Sequence, residues 1–350
     1  MVTIRDVARE SGFSAATVSI VLNNAPLSRY IPAATKGRIQ KAAKKLGYRP
    51  NVIARFLRSK RSHTVGVMVS DVTDPFCIPI LRGIDNVLYH ASYLPILVDI
   101  HNQRERFERH LEMLLDRHVE GLIMVANWLF VDINLLGDIE KRNIPAAIIG
   151  RELKGSISSV MVDNEAGARL ALEHLYSLGH RRVAFIRGPK TLADTVPRWQ
   201  GIVSFARSAK LRIDSKLIMD LPNSLDPNSS FENGYRLTAG LLKRRARFTT
   251  LVAFDDLSAF GAIRALEKEG ARVPDECSVI GFDDVAPSML SLPALTTIRQ
   301  PLQAMGESAA TSVLEGVDAG LEKRGLASTH RKMPPELVVR ESTRLAPHVP

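Results

Sequence analysis

Thr3-Ile-Arg-Asp-Val-Ala-Arg-Glu-Ser-Gly-Phe-Ser-Ala-Ala-Thr-Val-Ser-Ile-Val-Leu-Asn-Asn24 holds two short amphipathic patterns joined by a tight turn. Ile4, Val7 and Ala8, then Val18, Val21 and Leu22, recur at i, i+3, i+4, the spacing of one helix face. Thr3 with Asp6 three residues on reads as a capping box, and Ser14 can accept an N–H from the turn that follows it. Gly12 can adopt the left-handed conformation that ends the first helix. The pattern predicts a helix-turn-helix whose second helix, about Ala15 to Leu22, would lie in a DNA major groove. With these two helices alone, a generic helical hairpin remains open.

Beyond this stretch, Asn24 to Ile31 reads as a loop, with Pro26 and Ser28 in it. A third helix is expected from about Pro32 to Leu46, with Ile39, Ala42, Ala43 and Leu46 on one face, Lys36, Arg38, Lys41, Lys44 and Lys45 on the other, and Gly47 as its stop. After Tyr48-Arg-Pro-Asn51, Asn51 can cap a further short helix over 52–59 that carries Ala54, Leu57 and Arg58, and 58–63 reads as a linker. Residues 1–61 contain 13 Lys and Arg against 2 Asp and Glu, a net of +11, which leaves −1 for the rest of a +10 chain. A small basic unit joined to a neutral large one is the electrostatic footprint of phosphate binding. An anionic membrane surface is the competing partner, disfavoured because the helices are capped and have internal apolar faces rather than one long stripe.

From Val65 onward candidate strands (65–70, 94–99, 121–126, 146–150, 182–187, 250–255, 278–283) alternate with amphipathic segments (80–91, 105–117, 133–141, 165–178, 198–209, 232–242, 257–269). That alternation predicts right-handed βαβ crossovers and parallel sheets covered by helices. A second series begins after Asn164, so two doubly wound lobes are expected, with a ligand site at the carboxyl ends of the strands. At 350 residues, with 45% hydrophobic and 24% charged content, the chain is long enough for two or three domains, and no apolar run approaches a membrane span. The N-terminus has no export signal pattern, and Cys77 and Cys277, 200 residues apart in sequence, read as free thiols of a reducing compartment, which predicts a cytoplasmic protein. The chain holds no Gly-x-Gly-x-x-Gly, Walker loop, His-Glu-x-x-His or Gly-x-Ser-x-Gly, and its nine histidines lack metal-ligand spacing. Neither a catalytic residue, a cofactor nor a metal site is therefore expected.

Over essentially the whole chain, several motifs together resemble the LacI/GalR transcriptional regulators. These are Thr3-Ile-Arg-Asp-Val-Ala, Gly12-Phe-Ser, Thr17-Val-Ser and Leu46-Gly-Tyr-Arg-Pro-Asn51. Asp74-Pro-Phe76, His174-Leu-Tyr-Ser-Leu-Gly-His180, Ile280-Gly-Phe-Asp-Asp284, Leu295-Thr-Thr-Ile298 and Glu336-Leu-Val-Val-Arg-Glu-Ser-Thr343 follow in the same order. The resemblance implies a small all-α helix-turn-helix headpiece and an α/β core of two doubly wound parallel-sheet lobes similar to periplasmic binding proteins. The expected division is 1–50 for the headpiece, 51–63 for a hinge helix and linker, and 64–350 for the core. Lobe 1 would take about 64–162 and 299–325, and lobe 2 about 163–293 and 334–345.

By the same resemblance, a homodimer would bind double-stranded operator DNA of pseudo-palindromic sequence, with Leu57 wedged into the minor groove at its centre. Packing of Leu57 within its own domain is the alternative. Ala15, Ala16 and Ile20 match the family's main base-reading positions, where relatives often carry arginine or another polar residue. None of the three can make a bidentate hydrogen bond to a base, so direct readout is predicted to be mostly apolar contact with thymine methyls. Thr3, Ser14, Thr17, Ser19, Asn23, Tyr48, Asn51, Ala54 and Arg58 complete the expected DNA-binding set. The loop from Asn23 to Thr35 is about three residues longer than in the lactose repressor.

For the effector cleft the resemblance carries over Arg198 and Asp283, with Phe76 and Trp199 as apolar walls and Asp255 where relatives commonly have asparagine. Asp255 and Asp256 can equally cap the helix that follows, and Arg198 can be a surface residue of a first helical turn. A sugar or sugar acid suits this set best, with a cationic or nucleobase ligand still open. The expected function is a ligand-responsive repressor in the bacterial cytoplasm, held at the nucleoid by its DNA. The alternative is a solute-binding protein without DNA function, which the basic headpiece and missing export signal disfavour.

Overall fold

The computed structural model describes residues 2–23, 25–49, 61–125, 137, 139, 141–151, 155–223, 229–322 and 328–347. The expected hinge helix, with Asn51, Ala54, Leu57 and Arg58, lies outside the described residues, as does most of the helix expected over 133–141. The chain divides into two compact units, Met1–Ser62 and His63–Pro350.

The first unit contains α1 (Ile4–Ser11), α2 (Ala15–Leu22) and α3 (Ala33–Lys45). Val7, Val18, Val21, Ile39, Ala42 and Ala43 form its buried core, flanked by Ile4, Ala8, Phe13, Leu22, Ile31 and Leu46. The periodic apolar positions of the three helices therefore meet in one place. The stretch read as a loop contains a 3₁₀ helix, Pro26–Tyr30, with Pro26 at its first position, where a fixed φ and a missing N–H cost nothing. Pro32 caps α3 and supplies no side-chain hydrogen bond.

The second unit contains two six-stranded sheets. In lobe 1, β1 (Thr64–Val69), β2 (Leu94–Asp99), β3 (Gly121–Val125), β4 (Ala146–Ile149), β5 (Ser158–Val162) and β11 (His330–Met333) lie in the order β11-β5-β4-β3-β1-β2, all parallel. In lobe 2, β6 (Val183–Arg187), β7 (Ile218–Asp220), β8 (Thr250–Val252), β9 (Ser278–Asp283), β10 (Thr296–Arg299) and β12 (Glu336–Val338) run in the order β12-β10-β9-β8-β6-β7. Only β12 is antiparallel to its neighbour. β5, β7, β10, β11 and β12 are not apparent in the sequence: they have three to five residues each, and β11 and β12 are edge strands with polar faces.

Strands buried on both faces need helices on both faces. In lobe 1, α4 (Cys77–His90) packs on the Val65, Val67 and Val69 face together with a long late helix, Leu302–Leu321, while α5 (Arg104–Asp116) covers the Met68 face. In lobe 2, α6 (Asn164–Ser177) and α7 (Thr195–Ser208) cover one face, and α8 (Ser229–Lys243) and α9 (Asp256–Lys268) the other. The late helix, α10 (Leu302–Leu321), follows β10 of lobe 2 in the chain yet packs on lobe 1, within the 299–325 stretch that the resemblance assigns to that lobe. Gly83 of α4 and Gly306 of α10 sit where a Cβ would collide with the backbone of Gln303 and Ile80 respectively, so the two helices touch backbone to backbone. The chain crosses between the lobes three times: from β5 to α6, from β10 to α10, and from β11 to β12. Cys77 and Cys277 are free and buried. Among the described residues no helix is long and apolar enough to cross a membrane.

Candidate DNA-reading helix and ligand cleft

Thr3 Oγ1 accepts the Asp6 N–H at 3.4 Å and Asp6 Oδ2 accepts the Thr3 N–H at 2.9 Å, so both halves of the capping box are present. Gly12 ends α1 at φ 76°, and Ser14 Oγ accepts the Thr17 N–H at 3.1 Å to start α2. These local bonds fix the angle at which α2 leaves the turn. Ala15 and Ala16 are exposed, while Thr17, Ser19, Ile20 and Asn23 are half-buried along the helix. Asn23 Nδ2 donates to the Ser19 carbonyl at 2.8 Å, so this side chain closes the end of α2. Tyr48 is half-buried against the headpiece core. The helix that faces outward thus presents small and aliphatic groups between hydroxyls.

At the carboxyl ends of β1, β3, β6, β8 and β9 a cavity of about 110 Å³ opens between the two lobes. Phe76, Arg198, Asp255 and Asp283 all line it, together with Asp74, Asn102, Leu192, Asp194, Ser230 and Asp256. Trp199 does not: its ring packs edge-on against Phe185 at 5.5 Å with the Arg187 guanidinium over it, beside a smaller cavity of about 40 Å³. A bulky aromatic one residue after Arg198 points about 100° around the helix, which takes it into the lobe 2 core.

Arg198 is 7% exposed, and its donors are engaged. Nε donates to Asn164 Oδ1 at 2.7 Å and Nη1 to the Phe254 carbonyl at 2.5 Å. Nη2 stands 3.5 Å from Asp283 and 3.8 Å from Asp194. The guanidinium stands over the rings of Phe282 and Phe254, at 3.7 and 4.6 Å from their centroids. Asn164 Nδ2 in turn donates to Asp194 Oδ1 at 2.8 Å, closing the network.

Asp283 and Asp284 both have positive φ, 119° and 57°, at the end of β9. Non-glycine residues there carry strain, which sharp side-chain placement at a site can justify. Asp283 turns to Arg198 and accepts from Gln300 at 2.6 Å, while Asp284 takes Arg340 and Arg299 at 2.6 and 2.7 Å. Burial holds the Asp283 carboxyl well above the usual carboxylate range against the opposing pull of Arg198, with the charges of Asp256 and Asp255 adding to it.

Asp255 caps a helix and also lines the cavity. Its Oδ1 accepts the Ser258 N–H at 2.7 Å as the N-cap of α9, and its Oδ2 accepts from Ser230 at 2.9 Å. Asp256 is wholly buried and accepts from Thr297, Ser288 and the Val285 N–H, so it ties α9 to β10 and to the segment after β9. Burial pushes its carboxyl up to about 7 against those donors. From lobe 1, Asp74 presents a carboxyl pushed up to about 6 by burial, with the Asp255 and Asp71 charges adding and the Phe76 N–H opposing.

Sequence reasoning had not placed Asp74, Asp194, Asp256 and Asn102 in the cleft. Asp194 carried a signal, four residues before Arg198 on what proves to be the approach to α7. Asp74 and Asn102 lie on loops whose direction only the fold decides, and Asp256 is the first residue of α9.

Residues 3–51 match the lacI family of bacterial regulatory proteins, and residues 172–343 match a periplasmic binding protein-like domain. The ribose operon repressor of Halalkalibacterium halodurans is 30% identical over 98% of both chains. The chain belongs to the LacI family. A second LacI-family relative, the HTH-type transcriptional repressor PurR of Serratia proteamaculans, is 31% identical over 100% of this chain and 99% of its own. The Lac repressor dimer bound to operator and the anti-inducer ONPF superposes with a TM-score of 0.84 at 26% identity, covering 98% of this chain and 99% of that one. A LacI family regulator from Enterococcus faecium with bound ribose matches 81% of this chain and 99% of its own at TM-score 0.69 and 28% identity. As a LacI-family member this chain is a ligand-responsive, DNA-binding transcriptional repressor and not an enzyme: the helix-turn-helix is its DNA-binding head, and the lobes form its effector-binding core.

Proposed function

We propose that this repressor binds a pseudo-palindromic operator as a homodimer and that a small, hydroxyl-rich, sugar-like effector enters the cleft between its lobes. The observation that carries the effector half is the cavity itself. It joins apolar walls (Phe76, Leu192, Leu221) to polar groups from both lobes (Asn102, Asp74, Ser230, Asn233, Asp255), the mixture that a sugar's apolar faces and hydroxyl rim require. Solved relatives hold ribose and cellobiose, which supports the class. An effector that contacts Asp74 of one lobe and Asp255 of the other favours the closed arrangement of the lobes. It shifts DNA affinity only by its differential affinity for the two states.

For the DNA half, the operator is contacted by α2 with Ala15, Ala16 and Ile20 toward the bases and Thr3, Ser14, Thr17, Ser19, Asn23 and Tyr48 toward the backbone. Residues 51–63, with Asn51, Ala54, Leu57 and Arg58, serve as the hinge. Dimerisation is supported by exposed apolar side chains on α4 and the neighbouring edge strand β2 (Ile78, Tyr89, Leu94, Leu97) and after β9 (Met289, Leu290, Leu292). Surfaces of this kind mark association sites.

Selection of bound sequences from a random duplex pool tests the DNA half. A palindrome with A·T pairs under α2 and a steep loss of affinity with salt is the expected result. Invariant G·C pairs under the recognition helix would overturn apolar readout. For the effector half, sugars are expected to raise the melting temperature of the full chain, and a flat response to all of them counts against the cleft as their site.

A further inference from the structure

A buried or half-buried carboxylate is tolerated when a cation or several donors neutralise it. Asp74, Asp194, Asp255, Asp256 and Asp283 line the cavity between the lobes, and Arg198 is the one basic side chain lining it among the described residues. The charge of Arg198 is spent within lobe 2. Its donors go to Asn164 and the Phe254 carbonyl, its remaining edge faces Asp194 and Asp283, and the guanidinium stands over the rings of Phe282 and Phe254. Asp256 is wholly buried and satisfied by three donors, two hydroxyls and an N–H.

Asp74 and Asp255 remain. They come from opposite lobes and line the same cavity, and the donors they hold are neutral: the Phe76 N–H on Asp74, the Ser258 N–H and the Ser230 hydroxyl on Asp255. The two charges repel across the opening, which is one source of the raised proton affinity of Asp74. Beside them stand the apolar wall of Phe76 and Leu221 and the amide of Asn233, which suit a compact organic body. Among the described residues no group of three acidic, imidazole or thiol ligands converges as a metal ion requires.

We propose that the effector carries a protonated amine on its hydroxyl-bearing body, an amino sugar or related amino polyol, and that the ammonium sits between Asp74 and Asp255. This rests on the reading of the cleft as the effector site. An ammonium offers three donors on a compact charge, and placed between carboxylates from the two lobes it converts their repulsion into a bridge that favours closure. A neutral sugar supplies hydroxyl donors and leaves the charge excess in place. A sugar acid adds to it.

The test uses the full chain at pH 7.5 with glucose and glucosamine, galactose and galactosamine, mannose and mannosamine, and glucuronate and galacturonate, read by thermal melting and by calorimetric titration. At least one amino sugar is expected to bind about tenfold or more tighter than its neutral parent. Asp255→Asn is expected to collapse that ratio towards one. Asparagine caps helices as well as aspartate, so α9 keeps its start. A neutral sugar that binds as tightly as its amine, a uronate that binds tighter than either, or a ratio unchanged in Asp255→Asn overturns the inference while leaving the cleft as an effector site. A panel in which no member shifts the melting curve defeats both readings. A ligand-free measurement stands beside these: Asp74→Asn is expected to melt higher than the parent chain at pH 8, because one of two opposed charges is gone. A lower melting temperature there would show that the chain itself compensates Asp74, and would overturn the proposal.

Discussion

Replacing Arg198 with leucine removes the one cation among the described cleft residues while keeping most of its apolar volume. Two charge-assisted hydrogen bonds are lost, to Asn164 at 2.7 Å and to the Phe254 carbonyl at 2.5 Å. Asp283 and Asp194, 3.5 and 3.8 Å away, are left without the guanidinium. Bonds of this kind contribute roughly 1.5–3 kcal/mol each, and removing one partner of a buried ion pair costs about 3–5 kcal/mol. Because these terms overlap in one network, the expected loss is about 3–5 kcal/mol for the substitution as a whole, a fall of roughly 6 °C or more in melting temperature.

The loss also depends on pH in a defined direction. Asp283 already has a raised proton affinity, and without Arg198 it takes up a proton more readily, which caps the cost in acid. Arg198→Leu is therefore expected to be worse at pH 8.5 than at pH 5.5, and Asp283→Asn in the Arg198→Leu background is expected to recover part of the stability at the higher pH. Urea denaturation of the parent, Arg198→Leu, Asp283→Asn and the double variant at both pH values measures this. A single-variant loss below about 1 kcal/mol, or a double variant no more stable than Arg198→Leu at pH 8.5, would refute the account of the network.

Asp74 binds its proton with a folded value of about 6 against an ordinary 3.8, so the native state holds more protons than the unfolded state between these values. Its contribution to stability therefore rises as pH falls through 6 and is complete below 3.8, by at most about 3 kcal/mol; the difference in melting temperature between Asp74→Asn and the parent should shrink from pH 8 to pH 5. Gly83→Ala places a Cβ against the Gln303 carbonyl at the α4–α10 crossing, and the expected loss is about 1–3 kcal/mol in urea denaturation. Gly240→Ala in α8, where nothing stands within 4 Å of the new methyl, should instead gain up to about 1 kcal/mol, and equal responses at the two glycines would contradict the close crossing.

Local patterns made much of this protein legible. The capping pairs Thr3/Asp6 and Ser14/Thr17, the left-handed Gly12 and the i, i+3, i+4 apolar positions depend on neighbours within four residues, and the structure realises each of them. The buried strands β1, β3, β4 and β9 are apolar runs that read directly as sheet centres. Trp199 and the late strands were harder. Whether an aromatic beside Arg198 faces a cavity or a core is a matter of helix rotation, and β7 and β12 are held by pairing more than by their own three residues.

The sequence by itself determined the basic helix-turn-helix, the two α/β series and the identity of Arg198, Asp255, Asp283 and Phe76 as cleft candidates, because these rest on short-range periodicity, charge and recognisable motifs. Only the tertiary structure decided that Asp74 of one lobe opposes Asp255 of the other, that Arg198 is consumed by Asn164, Phe254, Asp194 and Asp283, and that Asp256 is internal. Those facts depend on loops at the ends of separate strands, brought together by chain crossings between the lobes. The charge balance of a cavity is a sum over residues far apart in sequence, and it exists only once the lobes are folded.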